Sequence, residues 1–180
     1  MDVLGQFHPQ IVHTPVALLV FSAFFALVGR LFDREWVRKA SVLLLVFGFL
    51  GAFAAVQSGQ AAHRVPEHDQ GVPEHEIDEH ADAGRWVLWV SGAAIVAHAA
   101  AAKAPANAAG ALSGLALVLQ LMAAAAVGVT GFRGGELTYH YGANVRVGGQ
   151  LVKSPAGAPA DGATPAAKPD DDADEKQRGD

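Results

Sequence analysis

The chain has 180 residues, with 13 Lys and Arg against 18 Asp and Glu for a net charge of −5, a hydrophobic fraction of 51 % and no cysteine. Without cysteine, disulfides, thiolate metal sites, iron–sulfur clusters and covalent CxxCH haem attachment are excluded, so any cofactor is held by His, carboxylate, Met or backbone oxygen. The length fits one membrane domain with no room for a second, and no nucleic-acid partner is expected.

The N-terminus begins Met1-Asp2 with no basic region and no small-residue cleavage site, so the first apolar run is expected to stay as a helix and not to be a signal peptide. Ahead of that run stand His8-Pro9-Gln10-Ile11-Val12-His13-Thr14-Pro15. Thr14 followed by Pro15 reads as an N-cap and first turn, with Pro9 opening a short turn before it. The two imidazoles are five residues apart, and in a continuous helix they point roughly 140° away from each other. They do not chelate one ion as an HExxH pair does, so the expectation is either separate roles, one as a ligand and the other beside it or handling protons, or binding across a break in the helix at Pro9 and Pro15.

Four apolar runs follow, expected as helices over 12–32, 40–62, 74–102 and 110–132. A helix needs about 20 apolar residues at ~1.5 Å each to cross a ~30 Å hydrocarbon layer. None of the apolar stretches carries a charge in its middle. A water-soluble domain would require four consecutive helices apolar on every face with no amphipathic partner to shield them. The expected fold is therefore all-α: an integral membrane four-helix bundle over 1–150, with an extramembrane acidic link and a disordered Pro/Ala/Asp-rich tail over 151–180. Gly110 with Gly114, Gly48 with Gly51, and Ala123 to Ala126 give smooth helix surfaces, so helix–helix oligomerisation is possible as well as packing within the chain.

The first short connection carries Arg30, Arg34, Arg38 and Lys39, and the third carries Lys103. Basic connections stay in the cytoplasm. The link between helices two and three sets seven acids against Arg64 and Arg85, so it is expected outside, with both termini, in the periplasm of a bacterial inner membrane. Trp36 at one boundary, and Trp86 with Trp89 at the other, suit an aromatic belt.

This threading gathers seven of the eight histidines on the outer rim. His8 and His13 precede helix one, His63 closes helix two, His68, His75 and His80 lie on the acidic link and the start of helix three, and His140 follows helix four. His68 and His75 occupy tandem heptads, Val65 to Gly71 and Val72 to Asp78, whose prolines and glycine suit a solvated loop. Pro73 and the acids after it start helix three well before the membrane and carry His80 toward it, and Gly84 leaves space one turn later. Gln57, Ser58, Gly59 and Gln60 place polar and small groups just below His63, able to bond a cofactor or bridge helices. His98 is alone within helix three, ~27 Å along the helix from His80. It is expected to be neutral and hydrogen-bonded to another helix, in preference to sharing a ligand with Met122.

The segment His8 to Val16 resembles the opening HPxxVHxPI of bacterial membrane proteins catalogued as domain of unknown function 2231. Gly134-Gly135-Glu136-Leu137-Thr138-Tyr139-His140-Tyr141-Gly142 is similar to that family's closing GGELVYxHG, although Tyr141 stands where the family usually has histidine and His140 comes one position earlier. The resemblance covers residues 5 to 150 and matches His80 to the third-helix histidine. It implies a membrane electron-transfer setting, since members occur beside cytochrome-type and other redox modules. Imidazoles from separate helices commonly hold b-type haem in membranes. The expected haem b ligands are His13 and His80 first, with His8, His63 and His140 behind them.

Two other outcomes remain open at this point. Zn or Cu on His8, His13, His63 and His80 needs three or four donors, and the acidic link would collect the ion. A cofactor-free structural or assembly subunit uses the histidines for hydrogen bonds and pH response. The chain is not expected to be an enzyme by itself. Its partners are the lipid bilayer and a cytochrome or other redox subunit, toward which the Asp170 to Glu175 run of the tail offers a weak attraction if that subunit is basic.

Overall fold

The computed structural model describes residues 3–155. From residue 156 onward the expected disordered tail lies outside the described residues. Four helices are long and apolar enough to cross a membrane, over His8–Leu31, Glu35–Gln70, Glu74–Lys103 and Ala106–Tyr139. In detail the chain forms two short turns, α1 (Val3–Gln6) and α2 (His8–Ile11), then α3 (His13–Leu31), α4 (Glu35–Ala62), a π-helical turn over Val65–Gln70, α5 (Glu74–Lys103) and α6 (Ala106–Tyr139). A small antiparallel hairpin of β1 (Arg146–Val147) and β2 (Gln150–Leu151) ends the fold.

Short connections make successive helices antiparallel. The longest contacts run α3 on α4 and α5 on α6, and α3 against α6 and α4 against α5 close the ring. The core is thin: Leu19, Leu45, Ala52, Val87, Ala94 and Val127 fill it. Phe21, Phe24, Phe47, Trp86, Trp89 and Phe132 face outward. Large apolar side chains outside and small ones inside suit a bundle whose solvent is lipid, where close backbone approach and interhelical hydrogen bonds hold helices together. At Gly48 an added Cβ would come within 2.6 Å of the Leu19 side chain, so this glycine sets the α3–α4 spacing.

Polar groups bind the inner half together. Gln120 of α6 is buried and donates from Nε2 to Ser22 Oγ of α3 and, at 3.4 Å, to Ser41 O of α4. Ser22 Oγ donates to the same Ser41 carbonyl at 3.0 Å. Gln120 Oε1 must therefore accept, and its donor is His98 Nε2 of α5 at 3.0 Å. His98 is thus hydrogen-bonded to another helix, as expected. Gln120, at the centre of all four helices, was not singled out from the sequence.

Several expected boundaries move. Thr14 does not cap α3, because the chain is already helical from His8 and Val12 keeps αR angles between the two segments. α4 starts at Glu35 and not near 40, its first turn carrying an acid beside the dipole's positive end and an ion pair from Lys39 Nζ to Glu35 Oε1 at 2.8 Å. α6 runs on to Tyr139 through Gly134 and Gly135, the first of which sits against His80 of α5 instead of ending the helix. The first heptad is not a loop: Val65–Gln70 winds as a π turn that stops at Gly71, whose φ of +75° suits a residue without Cβ.

The ordered fold passes through the expected domain boundary at 150. Gln70 is buried and its side-chain Nε2 donates to Gly142 O at 2.8 Å and Val152 O at 2.6 Å. Its Oε1 accepts from Asn144 N at 2.7 Å, and its backbone carbonyl accepts from Ser154 N at 2.9 Å. These bonds fasten residues 142–154 as a cap over the end of the bundle where α4 passes into α5. Val72, Ile77 and Leu137 form a second apolar cluster beneath it, packed by Tyr141 and Ala143. Tyr141 donates its hydroxyl to Glu76 Oε1 at 3.0 Å, and that carboxylate holds the phenol's pKa above its ordinary value.

Candidate functional site

At the capped end a cleft of about 1390 Å³ opens between the starts of α3 and α5 and the ends of α4 and α6. Its deeper wall is apolar, with Val12, Pro15, Ala52, Val56, Val87 and Val127, and its mouth is polar. Five of the rim histidines line it: His8, His13, His63, His68 and His80. His75 and His140 do not.

Two of the five lie side by side. The rings of His8 and His80 have centres 6.4 Å apart and stand nearly perpendicular, at 86°. Each is fixed from behind through Nδ1. His8 Nδ1 lies 2.9 Å from Ser58 Oγ, and Ser58 gives its own hydroxyl hydrogen to Ala55 O at 3.0 Å. This arrangement suits a His8 that carries its proton on Nδ1, with Ser58 accepting. His80 Nδ1 donates to the backbone carbonyl of Thr130 at 3.1 Å, a group that only accepts. Both rings hold the same tautomer, and both leave the Nε2 lone pair available. A histidine ligand is ordinarily held this way, with its other nitrogen engaged by a fixed acceptor.

Glycines allow both rings to sit so close to their supporting helices. A Cβ at Gly59 of α4 would stand 3.1 Å from His8 Cε1, and one at Gly134 of α6 would stand 3.0 Å from His80 Cε1. Gly84 serves packing more than the ring beside it, since a Cβ there would meet Thr130 and Val56 at ordinary contact distance.

The remaining candidates are placed differently. His13 is exposed, and its Nδ1 donates to Pro9 O one turn back at 2.5 Å. The pair of rings brought together is thus His8 with His80, not His13 with His80. α2 and α3 continue nearly as one helix, so the five-residue spacing turns the two N-terminal imidazoles apart. His63 is half-buried between two acids, with Nδ1 3.2 Å from Glu67 and Nε2 3.7 Å from Asp78. His140 is exposed beside Tyr141, away from the cleft. His68 and His75 are mostly exposed. The four-histidine metal set does not converge: among the described residues no group of three or more His, Asp or Glu side chains is placed to hold an ion. Thr130 was missed in the sequence because a backbone carbonyl leaves no compositional signal.

These features define an integral membrane protein of the four-helix type with a histidine-bearing cleft at one end. The chain belongs to the family described as predicted membrane protein, DUF2231, whose match spans residues 6–147 and so includes both His8 and His80. Comparison with the curated proteins and with the solved structures gives no match.

Proposed function

We propose that the cleft holds a b-type haem between His8 Nε2 and His80 Nε2, and that the protein serves as a membrane electron-transfer subunit. The His8 and His80 pair carries this proposal. With metal–nitrogen bonds of ~2 Å and a ring centre ~1.2 Å beyond each nitrogen, two imidazoles on opposite sides of one ion would have centres ~6.4 Å apart, compatible with the spacing here. The common tautomer, the glycines behind both rings and a mostly apolar cleft larger than an ordinary small-ligand pocket favour a flat macrocycle. A bare Zn ion would need at least a third side-chain donor, and none converges with the pair. When bound, the haem supplies reversible one-electron chemistry. The protein's own contribution is to orient the two ligands and keep the deeper wall dry. The outward placement of both termini and a redox partner on that side belong to the same proposal, supported by the basic residues Arg30, Arg34, Arg38 and Lys39 at the opposite end.

The test is an optical spectrum of the detergent-purified protein before and after dithionite, with elemental analysis of the same sample. A Soret band that sharpens on reduction together with a distinct α band is expected, with His8→Ala and His80→Ala each losing both bands while still inserting in the membrane. A featureless spectrum after haem loading would reject the proposal, and copper or zinc in its place would reassign the pair to a metal.

A further inference from the structure

The turn joining α3 to α4 carries four cations, Arg30, Arg34, Arg38 and Lys39, against two acids, Asp33 and Glu35. One membrane span ends at Leu31 and the next starts at Glu35, so these charges stand at the boundary between hydrocarbon and headgroups. Both acids are already engaged. Arg38 Nη1 binds Asp33 Oδ1 at 2.8 Å and donates to Gly29 O at 3.2 Å, and Lys39 Nζ binds Glu35 Oε1 at 2.8 Å. Arg30 and Arg34 are exposed, and neither side chain has a hydrogen-bond or ion-pair partner among the described residues. The backbone brings these two residues near each other. Asp33 takes a left-handed φ of +49° after the last turn of α3, and Arg34 N donates back to Gly29 O at 2.9 Å, the bond of a helix-ending turn. Arg34 therefore lies beside the peptide that joins Gly29 to Arg30. Around them Leu31, Phe32 and Trp36 are 68, 67 and 71 % exposed. A free phosphate gains nothing from those apolar side chains, whereas a phospholipid brings them an acyl chain while its headgroup meets the cations.

We propose that this turn binds an anionic phospholipid, with Arg30 and Arg34 on the headgroup and Leu31, Phe32 and Trp36 against the upper part of an acyl chain. Guanidinium groups hold phosphate through charge-assisted, often bidentate hydrogen bonds. A cation at an anionic membrane surface gains about fivefold in affinity, so the two arginines give about 25-fold, reduced by salt. Arg38 and Lys39 add little, because each is held by its own carboxylate. The turn is at the end of the bundle away from the histidine cleft, and its ligand does not depend on what the cleft holds.

The test uses the full-length chain carrying W86F/W89F, which leaves Trp36 as its one tryptophan; both replaced side chains are mostly exposed. In phosphatidylcholine vesicles the protein is titrated with phosphatidylglycerol brominated high on its acyl chains, and quenching of Trp36 is compared with that by brominated phosphatidylcholine. Half-maximal quenching is expected at about 25-fold lower mole fraction of the anionic lipid. R30Q/R34Q is expected to lose this preference while still being quenched by brominated phosphatidylcholine, which shows that it remains inserted. R30K/R34K keeps most of the preference, and E35Q/K39Q, which removes an internal ion pair without changing net charge, keeps all of it. Equal quenching by the two lipids in the parent protein, an undiminished preference in R30Q/R34Q, or loss of the preference in E35Q/K39Q would overturn the proposal. Displacement of the anionic lipid by inorganic phosphate at constant ionic strength would also overturn it, reassigning the arginines to a soluble anion.

Discussion

Ser58 Oγ lies 2.9 Å from His8 Nδ1 and, when it gives its own hydrogen to Ala55 O, accepts from that ring. Removing that acceptor frees the imidazole to rotate and change tautomer. Ser58→Ala is expected to weaken haem retention about tenfold, the usual scale for losing a partner behind a ligand, and a haem titration checks it. Gly134 acts on the other ligand. Its position leaves no room for a side chain beside His80, so Gly134→Val is expected to displace that ring and remove the bis-imidazole α band, whereas an unchanged spectrum would show that His80 is not a ligand. His68→Ala and His75→Ala are expected to leave the spectrum unaltered, since both side chains are mostly exposed and pair only with the neighbouring Glu67 and Glu76. His80 was legible from Pro73 and the acids that start α5. The partner of His80 was not legible, because facing across a bundle depends on how each helix is rotated about its axis. Helices apolar on nearly every side give no amphipathic pattern from which to read that rotation.

Between elements, Gln120 and Gln70 hold opposite ends of the bundle. Gln120→Leu removes the partner of His98 and a donor to Ser22 and Ser41 at once. Interhelical bonds in membranes average about 0.6 kcal/mol each, so a loss of about 2 kcal/mol is expected in detergent-denaturant unfolding, with the four helices still inserted. Gln70→Leu leaves the part-buried carbonyls of Gly142 and Val152 without this donor. The expected result is release of the cap, read as rapid proteolysis and hydrogen exchange confined to residues 142–154, with the helices protected. The four helices were legible because length and apolarity alone define a membrane span. Their ends were less so. Lys39 and its neighbours can extend a helix beyond the apolar stretch while reaching water, and Gly134-Gly135 resembles a helix stop until the imidazole beside it is seen. The cap was not legible, since Gln70 sits in a link whose acids and histidines read as a solvated loop.

For the whole molecule, α5 with 30 residues and α6 with 34 are ~45 and ~51 Å long, well beyond a ~30 Å hydrocarbon layer. The surplus lies at the end bearing His80, Gly134 and the cap, which raises the cleft toward the headgroup level. The described N-terminal residues and the cap share this end, since Gly5 meets Ala61 and Ser154 meets Gln70. Reporter fusions at both termini are expected to be active in the periplasm, and cytoplasmic activity at either would reverse the assigned orientation. The shared placement bears on energy conversion. His98, the one imidazole deep in the bundle, lies ~27 Å along α5 from His80 and is committed to Gln120. Among the described residues there is thus no second such histidine pair to relay an electron inward. A haem between His8 and His80 would take up and release its electron on a single face of the bilayer. Its turnover would move no charge through the membrane field, which at 100 mV costs or yields about 2.3 kcal/mol per electron carried across.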